Sequence, residues 1–185
     1  MSLGLLVEGK SDKDAIPKLI RKFLDPSPRI IPRTIHREEM FNSEKVKRYL
    51  EALLRQHQDV EKIIICVDSE CTDPEEIREE VSKVERELEG TDLVVKYAVV
   101  VHALEGWLAT DSRALGRVLG RQVSMERNLE DVCKPDEFLA GLFSRYGKDF
   151  QKTRHDPLIA GYADPKRMAR LSPSFQRFCE TLGDP

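Results

Sequence analysis

Acidic side chains stand where two short apolar runs stop, and that placement is the chain's first chemical signal. Leu3, Leu5, Leu6 and Val7 read as a buried strand, followed at once by Glu8 and Gly9 and then by Asp12. Ile63 to Val67 read as a second buried strand, followed by Asp68 and Glu70. Open α/β sheets bind their ligands at the carboxyl ends of strands, so each acid is presented at a rim. Asp68 and Glu70 are two residues apart and face the same side if the extended chain persists. Carboxylates about 4 Å apart repel by about 4 kcal/mol at an effective dielectric near 20. A hard divalent cation, Mg2+ or Mn2+, relieves that repulsion, and it prefers oxygen donors to the sulfur and imidazole that this region largely lacks. The bland alternative is a turn begun by Asp68 with Glu70 solvated.

Gly4 to Ser11 also spells G-x-x-x-x-G-K-S, the pattern of a phosphate-cradling loop with Lys10 as its cation. That loop needs a strand before its first glycine, whereas here the four middle residues, Leu5, Leu6, Val7 and Glu8, belong in a strand themselves. An acid beside the second glycine would also repel a phosphate. A nucleotide hydrolase, with Ile63 to Asp68 as its second apolar strand and acid, is therefore kept only as a lesser alternative.

The elements that must position the acids alternate along the first hundred residues. A helix is expected from Asp12 to Leu24, with Pro17 in its first turn or at a kink. Arg29 to Ile35 is the next strand, and Pro32 suits it to a sheet edge. Ser43 to His57 is a helix with Val46, Tyr49, Leu50, Leu53 and Leu54 on one stripe. After the strand at Ile63 to Val67, Asp73 caps a helix that has Pro74 first, Glu76 completing a capping box, and an end near Glu89. Leu93 to Val101, apolar almost throughout, is expected at the centre of the sheet. Strands joined by helices in this way form parallel neighbours with right-handed crossovers.

Beyond that point the chain reads as helical. Ala103 to Leu119 forms one helix or two, Pro135 to Tyr146 another, and Pro173 to Leu182 a last one capped by Ser172. Leu104, Trp107 and Leu108 form an apolar stripe, which makes Trp107 a core residue rather than a stacking platform. Arg145 to Arg170, with Gly147, Pro157, Gly161 and Pro165, is expected to lie as irregular structure over the active edge.

A chain of 185 residues suits one domain with an appendage and needs no disulfide or metal to fold. Cys66, Cys71, Cys133 and Cys179 lack metal-binding spacing and read as small buried hydrophobes. Neither a signal-like nor a membrane-length apolar segment is present, so a cytoplasmic protein with reduced thiols is expected. The net charge of -3 is unevenly spread. Residues 10 to 48 carry eleven Lys or Arg against six acids, and residues 145 to 177 carry eight against three. Residues 59 to 93 carry thirteen acids against four bases. That distribution excludes a uniformly basic DNA-coating protein and leaves room for a local phosphate-binding face.

Val7-Glu8-Gly9-Lys10-Ser11-Asp12 and Val67-Asp68-Ser69-Glu70 together resemble the Toprim superfamily, which carries a glutamate after its first strand and a D-x-D pair after its third. Glu70 stands where that pattern has a second Asp. His102-Ala-Leu-Glu-Gly-Trp-Leu-Ala-Thr-Asp111 is similar to the corresponding stretch of small stand-alone Toprim-like proteins related to OLD-type nucleases. The resemblance implies an α/β fold, a Toprim-like Rossmannoid with a central, mainly parallel four-stranded sheet flanked by helices. It implies a catalytic core over residues 1–111 and a helical C-terminal extension over residues 112–185 packed on it. It also implies that Glu105, and with it Asp111, completes the acidic centre. An unbroken helix would turn those two acids about 240° apart, and Asp111 alternatively caps a helix starting at Ser112. Lys152 and His155 fall where the related proteins carry a basic element.

The function expected from these residues is Mg2+- or Mn2+-dependent phosphodiester hydrolysis of DNA or RNA, with a role in DNA repair or phage defence. Glu8, Asp68 and Glu70 would hold a first ion, and Asp12 and Glu105 would help hold a second, with Asp111 a further metal candidate from the resemblance. Glu8 and Lys152 are the catalytic candidates, the lysine opposing charge on the scissile phosphate. Lys10, Lys148, Arg154 and His155 are the candidates for nucleic-acid binding. A homodimer and an ATPase partner protein are compatible with the resemblance, and a membrane is not expected. The alternative from another class is a non-catalytic module that binds metal or nucleic acid.

Overall fold

The computed structural model describes residues 2–90, 93–124 and 128–183. Its centre is a four-stranded, all-parallel sheet of β1 (Ser2–Val7), β2 (Arg29–Thr34), β3 (Val60–Asp68) and β4 (Val94–Val100) in the order β2-β1-β3-β4. Helices α1 (Lys10–Phe23), α2 (Arg37–Met40), α3 (Ser43–Gln56) and α4 (Pro74–Leu88) provide the crossovers. Then come α5 (Leu104–Ala109), α6 (Ser112–Leu119), α7 (Pro135–Arg145), α8 (Lys152–Tyr162), α9 (Pro165–Leu171) and α10 (Pro173–Gly183). The expected α/β class, with a helical C-terminal part, is the class observed.

Alternation along the strands sends side chains to two cores. Leu6, Ile31, Ile63, Ile65, Val67, Tyr97 and Val99 face α3 and α4. Leu3, Leu5, Val7, Ile64, Cys66, Ala98 and Val100 face α1 and the C-terminal helices, where Trp107, Phe143, Phe175 and Phe178 fill the interior. Sequence segments before and after residue 111 thus contribute to one continuous apolar cluster.

Several local expectations are corrected. β4 lies at a sheet edge, not at the centre, and it is apolar because α4 covers one face and α10 the other. Its outward Tyr97 amide donates to Glu85 Oε1 at 2.7 Å, so this part of the edge is capped by a side chain. Pro17 sits well inside α1 rather than in its first turn. Asp73, by contrast, caps α4 as expected, accepting from the Glu75 amide at 2.9 Å. Arg145 to Arg170 is largely helical: Pro165 occupies the first turn of α9, and Asp164 accepts from the Lys166 amide at 3.0 Å. Prolines that looked like breaks therefore start a helix or lie within one.

Cysteine usage also differs from expectation. Cys71 and Cys133 form a disulfide, with Cα atoms 5.0 Å apart, while Cys66 and Cys179 are free and buried as expected. Among the described residues, no helix is long and apolar enough to cross a membrane.

Trp107 locks α5 to α10. Its ring is fully buried, with centroids 5.0 Å from Phe175 and 5.1 Å from Phe178, and its Nε1 donates to Ser174 Oγ at 2.7 Å. Ser174 in turn donates to Glu130 Oε1 at 2.6 Å, so the indole N–H belongs to a satisfied network. Replacing Trp107 with Ala is expected to lower unfolding free energy by about 3–5 kcal/mol, read from a shift in denaturant midpoint.

Candidate acidic site

The carboxyl ends of β1 and β3 bring Glu8 and Asp68 together because the two strands are hydrogen-bonded neighbours. Glu8 Oε1 accepts from the Asp68 amide at 3.2 Å. Arg37, at the start of α2, donates to the same oxygen at 2.9 Å and also to the Asp68 carbonyl. Burial raises the Glu8 pKa, and Arg37 opposes that shift. Sequence inspection did not single out Arg37, which lies on a helix of four residues beyond the second strand.

Gly9 then allows an unusually close approach. Its amide donates to Asp12 Oδ2 at 2.9 Å, and a Cβ at this position would lie 2.9 Å from the same oxygen. Glycine at the N-cap lets the first turn of α1 bring its Asp12 carboxylate this close over the strand end without a shift of that side chain. Asp12 is thereby held inward, and burial raises its pKa while the Gly9 amide opposes the rise.

From the other side, α5 presents Glu105 and α8 presents Lys152 and Asp156. Glu105 is 2% exposed and pairs with Lys152 Nζ at 2.8 Å. The same ammonium lies 3.3 Å from Asp136 on α7. Burial disfavours the charged lysine, but the two acids outweigh it and hold its pKa above the ordinary value. Asp68 is held well above the usual carboxylate range by burial and by the charges of Asp12, Glu8 and Glu105. Glu105 is raised by burial against the pull of Lys152.

Asp156 was not foreseen. It is fully buried, and neither carboxylate oxygen has a hydrogen-bond partner among the described residues. The nearby Ser11 hydroxyl is directed at Asp12 Oδ1, 3.4 Å away. Burial and the charges of Glu105 and Asp12 push the Asp156 pKa up to about 9, against the pull of Lys152 and the nearby Ser11 hydroxyl, which lies outside ordinary hydrogen-bond geometry to it. The available signal was its place four residues after Lys152, on the same face of a helix, but the flanking Gly147, Pro157, Gly161 and Pro165 read as loop.

α8 reaches this position because α1 fastens it. Lys18 Nζ donates to the Pro157 carbonyl at 2.8 Å, and Lys22 Nζ donates to the Ala160 carbonyl at 3.3 Å and the Ala163 carbonyl at 2.8 Å. Burial lowers the Lys22 pKa. Cationic side chains near the carbonyl end of a helix also meet its favourable dipole.

Other expected site residues are placed differently. The extended geometry does not persist past Asp68: Glu70 has φ 51°, its amide donates to the His102 carbonyl at 2.9 Å, and it is exposed beside Glu8 rather than paired with Asp68. His102, just past the end of β4, donates its amide to Ser69 Oγ at 2.9 Å. Asp111 stands outside the acid group. It caps α6 through the Arg113 and Ala114 amides at 3.0 and 3.2 Å, and its other oxygen accepts from the Asp164 amide at 2.8 Å.

His155 is a core residue, packed at 4.8 Å from the Phe143 ring and accepting from the Gln151 amide at 2.9 Å. Burial lowers its pKa, so it is a poor phosphate-binding cation. Lys148 is exposed and donates to the Val118 carbonyl at 2.9 Å, whereas Lys10 and Arg154 are exposed at the starts of α1 and α8. Gly4 to Val7 lie within β1, so the phosphate-loop alternative lacks its loop.

The centre is therefore Asp12, Asp68, Glu105 and Asp156 around Lys152, with Glu8 beside Asp68 and paired with Arg37 at one side. Its donors are all hard oxygens, which suit Mg2+ or Mn2+ in type. Asp156 adds two buried oxygens with no hydrogen bond among the described residues, and they are donors of the same kind. Among the described residues, no group of three or more His, Cys, Asp or Glu is already arranged to hold a metal ion.

No curated protein matches the chain. Among solved structures, it is similar to the C-terminal region of the Xanthomonas campestris pv. campestris OLD protein, with 15% identity, 97% of this chain and 93% of that chain covered, and a TM-score of 0.45. Residues 7–183 match the family model described as a domain of unknown function, DUF4276. That match includes both strand ends and all the helices that build the acidic centre, and the protein belongs to the DUF4276 family.

Proposed function

We propose that the protein is a divalent-cation-dependent phosphodiester hydrolase acting on nucleic acid. The observation that carries this reading is the convergence of Asp12, Asp68, Glu105 and Asp156 on one lysine, with Glu8 against the Asp68 backbone and no hydrogen bond to either oxygen of buried Asp156 among the described residues. Fully ionised, such a group would carry more negative charge than Lys152 and Arg37 can balance, which is why burial and mutual repulsion raise its carboxyl pKa values. Asp12, Asp68, Glu105 and Asp156 are the residues that would hold Mg2+ or Mn2+, with Glu8 beside them. A bound ion would supply Lewis-acid polarisation of a phosphoryl oxygen and a more acidic water.

The chain's own residues have separable tasks. Arg37 favours the ionised form of Glu8, and the Asp68 amide fixes the direction of its carboxylate. Lys152 provides a cation, half-exposed at 46%, that can meet a phosphate from solvent while Glu105 and Asp136 orient it. Opposing charge that develops on the phosphate is its expected contribution to rate. Asp111 has no part in this proposal, since its oxygens serve backbone amides.

A non-catalytic binding module is the second reading. It is favoured by the ammonium of Lys152 already resting on Glu105 and by the displaced Glu70.

Labelled single- and double-stranded DNA and RNA, incubated with the protein and Mn2+, are expected to be cleaved. Asp68→Asn and Glu8→Ala should each reduce the rate by about a hundredfold or more, and Lys152→Ala by about a hundredfold. Cleavage that survives unchanged in the two acid variants would refute the assignment, and metal binding without cleavage of any polymer would favour the module.

The raised Asp156 pKa also sets a stability profile. The folded state binds this proton more tightly than the unfolded chain, so the contribution is complete below the ordinary value of 3.8 and is lost as pH rises toward about 9. Metal-free protein is therefore expected to melt at progressively lower temperature across that window. Asp156→Asn should flatten the trend, and Mn2+ should raise the melting temperature more at alkaline than at acidic pH.

A further inference from the structure

A cleft of about 910 Å³ lies between α6 and α9, and its chemistry is opposite to that of the acidic centre. Arg113, Arg117, Arg121 and Arg167 line it, with Gln122 and Ser124 adding polar groups. Arg113, Arg117 and Arg121 are exposed and form no ion pair among the described residues, and no described acid lines the cleft.

The backbone assembles this cluster by specific means. Arg113 and Arg117 are one helical turn apart, about 6 Å in rise, on the same face of α6. Gly120 takes φ 72° and ends the helix, and the Arg121 amide then donates back to the Gly116 carbonyl at 3.0 Å. A Cβ on Gly116 would come 2.8 Å from the Arg121 carbonyl oxygen, so glycine is what lets the returning chain lie against the helix. That return brings Arg121 to the same cleft. The bond from the Asp164 amide to Asp111 joins the start of α6 to the start of α9, which supplies Arg167.

Like charges at helical spacing disfavour the helix that carries them. Guanidinium groups are also planar forks whose donors match phosphate oxygens two at a time. Several of them spread along an open cleft suit a polymer of repeated phosphates better than one compact anion. We infer that the arginine-lined groove between α6 and α9 binds the phosphodiester backbone of a nucleic-acid strand.

This inference rests on the hydrolase reading in one respect, because it names how that enzyme would hold its substrate. The groove adjoins the right elements: α6 follows α5, which carries Glu105, and packs on α8, which carries Lys152 and Asp156. Its recognition is sequence-independent, since phosphate contacts position a strand without reading bases.

The test is fluorescence anisotropy with the full chain and short labelled DNA and RNA single strands in EDTA, so that binding is read apart from turnover. Arg113→Ala/Arg117→Ala should weaken binding about tenfold or more and make the logarithmic salt dependence shallower by about 1.4, two phosphates at about 0.7 each. Arg113→Lys/Arg117→Lys should keep most of that slope, which separates lost charge from lost folding. Asp68→Asn should bind at least as tightly as the unaltered protein. Failure of the unaltered protein to bind any strand, an unchanged slope in the alanine variant, or displacement of the strand by an equal phosphate concentration of inorganic tripolyphosphate would overturn the inference. Arginine-dependent binding without cleavage in Mn2+ would keep the groove and end the hydrolase reading; cleavage indifferent to the arginines would do the reverse.

Discussion

The structure depends on a repulsion that it does not neutralise by itself. Parallel pairing of β1 with β3 places Glu8 against the backbone of Asp68, and three helices then add Asp12, Glu105 and Asp156. Each carboxylate loses hydration on entering this region, and each raises the cost of ionising the others. Lys152 and Arg37 offset part of that cost. The remainder appears as raised carboxyl pKa values and as the unpartnered oxygens of Asp156.

Much of the surrounding fold keeps the acids from moving apart. Lys18 and Lys22 fasten α8 to α1, so that Lys152 and Asp156 stay opposite Asp12. Trp107 fixes α5 between the sheet side and α10, which holds Glu105 in the interior. The Cys71–Cys133 bond ties the loop after β3 to the loop entering α7, the helix that supplies Asp136 to Lys152. Core packing, ion pairing and a covalent link thus act on the same small group of side chains.

The parts legible in the sequence were those set by local pattern. Apolar runs ending in Glu8 and Asp68 revealed two strands and their rim, and Pro32 correctly marked β2 as an edge. The helix read over Ser43 to His57 showed itself by a clear stripe, and Ser172 accepts from the Phe175 amide at 3.1 Å as a cap should. What escaped was set by distant contacts. β4 looks central because two helices cover it, a fact no window of sequence contains. Asp156 lies in a stretch rich in turn residues, and its burial follows only from the docking of α8 on α1. Glu70 seemed aligned with Asp68 until the chain turned into positive φ at that residue. Asp111 is an acid at a plausible spacing, but backbone amides had already taken its oxygens.

The most direct measurement is anomalous scattering from crystals soaked in Mn2+. A peak within about 2.3 Å of oxygens from Asp68 and at least two of Asp12, Glu105 and Asp156 is the predicted result. Contradiction would be a fully soaked crystal with no peak there, Lys152 still seated on Glu105, and manganese found only on exposed surface acids.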